Sequence, residues 1–86
     1  MAIAFILINV ELGGEEEVLE LLRQMDEVVE AVGIFGVYDI IVKIEAEDRH
    51  KIEDLIIWKI RKFDKVRQTI TNWVHTGFNK KEMKQY

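Results

Sequence analysis

The sequence predicts an α+β domain of order β-α-β-β-α-β, a four-stranded antiparallel sheet carrying two helices on one face. Three observations point there. Residues 2–10, AIAFILINV, are apolar on both alternating faces, as a central strand covered on both sides must be. Two segments, 14–25 and 48–63, place apolar residues at helical spacing. Two β-rich segments lie between them, and a β-branched one comes after. With 86 residues the chain is long enough for one modest core and one domain.

In the first strand Ile3, Phe5 and Leu7 point one way, and Ala4, Ile6, Ile8 and Val10 the other. The first helix opens on Glu15, Glu16 and Glu17, where the macrodipole favours anions, and its stripe is Val18, Leu21, Leu22 and Met25. Residues 28–35 and 38–46 read as two strands around a turn at Gly36. Asp48 is placed to cap the second helix, whose core face is Ile52, Leu55, Ile56, Ile60 and Phe63. The last strand, 66–75, alternates Val66, Ile70 and Val74 against Thr69, Thr71 and Trp73. A polar tail, 77–86, reads as a short helix or a frayed end beyond a domain of residues 1–76.

This order is the ferredoxin-like split βαβ arrangement, in which both helices cover the same sheet face. The other face has no helix, yet Phe5 and Leu7 point to it. Exposed apolar surface of that kind marks an interface, so a dimer through the open face is expected. Trp58 lies off the helical core stripe among Lys51, Asp54, Arg61 and Lys62, which makes it a second interface candidate. Packing across its own helix surface is an equally good reading of Trp58.

Composition excludes several function classes. Without cysteine there is no disulfide, no thiolate zinc site and no cysteine nucleophile, and without serine no serine triad. His50 and His75 have no clustered partner and read as surface residues, not a metal pair. Glu45, Glu47 and Asp48 supply too few converging oxygens for calcium. No metal and no cofactor is expected. The longest uncharged apolar run, 1–8, is far short of a membrane span, and no basic segment precedes it, so a soluble cytoplasmic protein without membrane partners is expected. Residues 1–43 hold nine acids and two bases, net −7; residues 44–86 hold seven acids and ten bases, net +3. The basic group Lys59, Arg61, Lys62, Lys65 and Arg67 reads as a solvated helix end, and the acidic total argues against duplex DNA binding.

The chemistry concentrates at Gly33-Ile34-Phe35-Gly36-Val37-Tyr38-Asp39. Glycines there keep backbone groups bare and permit φ > 0, so the turn can bind a small zwitterion through its main chain, or be a plain hairpin. Asp39 can receive an ammonium or accept backbone bonds within its own turn, and Tyr38 can simply extend the sheet.

The segments Phe5-Ile6-Leu7-Ile8-Asn9-Val10, Gly36-Val37-Tyr38-Asp39-Ile40-Ile41-Val42-Lys43 and Val66-Arg67-Gln68-Thr69-Ile70-Thr71 match a known pattern. Over residues 3–75 the chain resembles the effector-binding domain of the Lrp/AsnC transcription regulators, the RAM domain. The resemblance implies dimers assembling into an octamer or decamer, with a free amino acid bound between dimers. Residue by residue it implies ligand contacts from Gly36, Val37, Tyr38 and Asp39, with Thr69 and Thr71 facing the site. Family regulators carry a helix-turn-helix domain first, for which residue 2 leaves no room, so no direct DNA binding is expected. Action through co-assembly with a full-length Lrp/AsnC regulator is expected instead. Met25-Asp26-Glu27-Val28 departs from the Pro-Gly-Val of relatives and should alter only the helix exit. Two other readings stay open. One is a small dimeric α/β-barrel enzyme of the monooxygenase kind, using Asn72, Trp73 and His75. The other is an adaptor that binds no small molecule.

Overall fold

The structure, a computed structural model, describes Met1 to Tyr86. Its elements are β1 (Ala2–Val10), α1 (Glu15–Arg23), β2 (Val28–Gly33), β3 (Ile40–Ala46), α2 (Arg49–Trp58), β4 (Val66–Trp73), β5 (Phe78–Asn79) and β6 (Lys84–Gln85), with a 3-10 turn at Ile60–Lys62. The main sheet has the order β2-β3-β1-β4, all antiparallel. The two central strands are therefore the two with the strongest apolar character.

Alternation sorts the side chains. Ala4, Ile6, Ile8 and Val10 of β1 and Ile40, Val42, Ile44 and Ala46 of β3 are buried beneath the helices. Val18, Leu22 and Met25 meet them from the α1 side, and Ile52, Leu55, Ile56 and Ile60 from the α2 side, in a single cluster of 15 residues. Phe63 packs on its margin. The Asp48 carboxylate accepts the Lys51 N–H at 2.9 Å, the expected cap of α2. Where α1 begins, the cap is backbone only. Gly14 is buried there, and a Cβ on it would lie 2.9 Å from Lys65 Cβ. Gly13 before it adopts φ 82°, a left-handed turn that favours glycine.

Three expectations need correction. First, the β2–β3 connection spans residues 34–39, longer than a tight turn at Gly36, and Gly36 does not take a positive φ. Second, the register shifts between Asn9 and Val10, so that Val66 sits opposite Val10 against the core instead of sharing a face with Ile70. A bulge adds one residue to one strand and reverses the facing of the residues beyond it, and periodicity alone does not reveal it.

Third, the tail is neither helix nor frayed end. It forms the β5–β6 hairpin and lies on the sheet face opposite the helices. There Lys43, opposite Phe5, is only 3% exposed, and its ammonium donates to the Tyr86 hydroxyl. Glu45, opposite Ile3, accepts from Lys84 Nζ at 2.6 Å. Tyr86 thereby holds Lys43 above the usual lysine range, outweighing the opposing effect of burial, and Glu82 and Glu45 push the same way. No helix of the chain is long and apolar enough to cross a membrane.

Candidate functional site

The 34–39 segment is pinned to the end of β1 and closed on itself by four hydrogen bonds. Asp39 N–H donates to Ile8 O at 2.9 Å, and Asp39 O accepts from Ile34 N–H at 2.9 Å. One carboxylate oxygen of Asp39, Oδ2, accepts the Val10 N–H at 2.8 Å. Asn9 Nδ2 donates to Val37 O at 2.9 Å. Asp39 is thus structural with one oxygen, bonding across to β1 and not within its own turn. The other oxygen carries no hydrogen bond, and the residue borders a groove of about 280 Å³.

That groove is lined by Glu15, Gly33, Ile34, Phe35 and Asp39. Two carboxylates and the bare Gly33 backbone make it suited to an ammonium group. Glu15 was not legible as a site residue, because a glutamate run at a helix start has a sufficient explanation in the macrodipole. Phe35 belongs to the segment the sequence marks as chemically loaded, though not to the residues expected to contact a ligand, and it is fully exposed. Val37 is 85% exposed beyond it, and Tyr38 is half-buried. Gly36 has no atom within 4 Å of where a Cβ would stand, so bulk there meets nothing within one chain.

Thr69 and Thr71 are not brought to this groove. Gly33 pairs with Ile40, Ile40 with Ile8, and Ile8 with Thr69, which sets Gly33 and Thr69 on opposite sheet edges. Three strand spacings separate them, about 14 Å. Thr69 instead lines a polar groove of about 330 Å³ with Arg61, Val66, Arg67 and Gln68. Thr71 faces the helices opposite Ile6.

Among the interface residues, Phe5 and Leu7 lie half-buried on the helix-free face, and Trp58 is 67% exposed at the end of α2, with Lys62 Nζ 5.7 Å from its ring centre. His50 and His75 are both exposed. Trp73 and His75 border a recess of about 450 Å³ at the far end of the sheet, with Met1, Asp48, Arg49 and Tyr86 around it. Asn72 donates to Phe5 O at 3.3 Å, a strand-edge bond.

Fold and sequence family together define a small regulatory effector-binding module built on a ferredoxin-like sandwich. The model of the Lrp/AsnC ligand binding domain matches residues 3–82, and the chain belongs to that family. Among solved structures it is similar to FFRP-DM1, with 40% identity over 87% of this chain and all of that one, TM-score 0.84. A hypothetical protein from Pyrococcus horikoshii is likewise 40% identical over 87% of this chain and 90% of that one, TM-score 0.83. Escherichia coli AsnC is 28% identical over 85% of this chain but only 50% of its own, TM-score 0.80, so the chain corresponds to about half of that regulator. No curated protein matches the chain.

Proposed function

We propose that this chain binds a free amino acid and oligomerises, and that it modulates transcription by co-assembling with full-length Lrp/AsnC regulators, without DNA contact or catalysis of its own. One observation carries the reading: Asp39 is held rigid by Val10 through one oxygen while its carboxylate borders a groove shared with Glu15. A carboxylate fixed in this way can receive an ammonium without first being ordered, which is where preorganisation contributes to affinity. Backbone of residues 33–37 supplies the remaining contacts. The placement of Thr69 and Thr71 away from the groove supports a site completed between copies, since they reach a ligand at the turn only from a neighbour. Exposed Phe35 and Val37 beside the groove are the apolar surface such a neighbour would cover.

The catalytic alternative draws no support from the interior. A small barrel enzyme holds its substrate between helices and sheet, and here that space is filled by the buried apolar cluster. Native mass spectrometry with each standard amino acid in turn tests the proposal. An assembly of eight or ten subunits carrying one amino acid selectively is the expected result. A chain that binds none of them would hand the function to the adaptor reading.

A further inference from the structure

The helix-free sheet face is divided between two occupants. Its rows run Ile3–Glu45, then Phe5–Lys43, then Leu7–Ile41, with Asn72 and Ile70 of β4 completing the last two. The hairpin sits over the first two rows, through Tyr86 on Lys43, Lys84 on Glu45, and Glu82 Oε1 at 3.9 Å from Lys43. The row of Leu7, Ile41 and Ile70, half-buried and extended by exposed Val32 of β2, makes none of these hairpin contacts. Four apolar side chains are a small part of a standard interface, roughly 800 Å² per partner and 20–30 residues a side, so pairing over the covered face is weaker than the whole face would allow.

We infer that the C-terminal hairpin competes with a second copy of this chain for the open sheet face, so that tight pairing requires the hairpin to lift. The inference rests on the oligomerisation of the proposed function, taken through the open-face dimer that the sequence leads one to expect, and adds a device that limits it. The hairpin is built to separate. It forms its own two-stranded sheet, with no ladder to the main one, and the contacts above are side chain to side chain. Its strands are two residues each, too short to be stable alone, so it is ordered by what it lies on. Gly77, at φ 148°, begins it and accepts the Tyr86 N–H at 2.9 Å. The family match ends at residue 82, so Lys84 and Tyr86, which hold the hairpin down, lie beyond what the family model describes. Lifting the hairpin joins Ile3 and Phe5 to the bare row. The face is then continuous from Ile3 to Leu7, and its Lys43–Glu45 pair at 3.7 Å remains to satisfy both charges. A two-fold partner presents the same patch, so the contact is isologous and closes as a dimer.

The test uses the full chain and the double variant Lys84→Glu/Tyr86→Ala, which removes both anchors and places a like charge against Glu45. Sedimentation equilibrium gives the dimer Kd of each, and amine-reactive labelling of Lys43 at low concentration reports whether the hairpin has lifted. The expected result is faster Lys43 labelling together with a dimer about tenfold tighter or more, each tenfold being about 1.4 kcal/mol. An unchanged or weaker dimer despite faster labelling overturns the inference. Unchanged labelling overturns it too, because the hairpin would then be held by something other than these two side chains. A parent dimer that Leu7→Arg fails to disrupt shows that the sheet-face reading itself has failed, separately from the hairpin.

Discussion

Asp39 joins two tasks in one side chain, and two substitutions separate them. Asp39→Ala removes the acceptor of the Val10 N–H, so a loss of about 1–2 kcal/mol in stability is expected alongside the loss of binding. Asp39→Asn keeps an oxygen for Val10 and removes only the charge. It should unfold close to the parent and yet bind an amino acid at least several-fold more weakly. Thermal unfolding and calorimetry read the two effects, and equal affinity in Asp39→Asn would place the ammonium elsewhere. Gly36 behaves unlike the sequence expectation. With no neighbour within 4 Å and no positive φ, Gly36→Val should change stability by less than about 0.5 kcal/mol. A fall in ligand affinity without a fall in melting temperature would locate a neighbouring copy over residue 36.

At the scale of elements, the start of α1 is held by close approach, not by a side-chain cap. Gly14→Ala forces a Cβ against Lys65 at 2.9 Å and should destabilise the fold by about 1–3 kcal/mol, measurable by urea unfolding. A silent Gly14→Ala would mean that the 60–66 connection moves aside freely. The hairpin adds a pH dependence. Lys43 has its pKa raised in the folded chain, chiefly by the Tyr86 hydroxyl. Its contribution is fully present below the unfolded lysine value, about 10.4, and is lost as pH rises through the higher folded value. The stability difference between the parent and Lys43→Met should therefore be constant from neutral pH to about 10 and shrink above it. A difference that grows with alkali would contradict the assignment.

The whole molecule presents two unlike surfaces to other copies. Leu7→Arg introduces a charge into the helix-free face and should abolish the dimer by light scattering, because burying an unpaired charge costs several kcal/mol. Trp58 lies elsewhere, at the exposed end of α2, so Trp58→Glu should leave dimers intact and reduce any larger assembly. An unchanged sedimentation profile for Trp58→Glu removes that residue from the contact. The acidic first half and basic second half also separate in space. The glutamates of α1 and Glu30 of β2 flank one sheet edge, while Arg61 and Arg67 flank the other, at β4.

Local regularities were enough for the architecture. Two-faced apolarity placed β1 at the centre, helical spacing named the core residues of α2, and Asp48 announced its cap, because each is a short-range consequence of side-chain direction and backbone hydrogen bonding. The Gly-x-Tyr-Asp segment stood out as the turn on which the proposed site is built. What contiguous residues cannot express is which distant groups meet. The bond from Val10 to Asp39 spans 29 positions, and the contact of Lys43 with Tyr86 spans 43. The inclusion of Glu15 in the groove, the exclusion of Thr69 and Thr71 from it, and the folding of a polar tail over an apolar face belong to the same class. Each depends on strand order and register, which pair residues across the sheet, and a polar tail becomes ordered only when a buried lysine and its glutamate neighbour offer it partners.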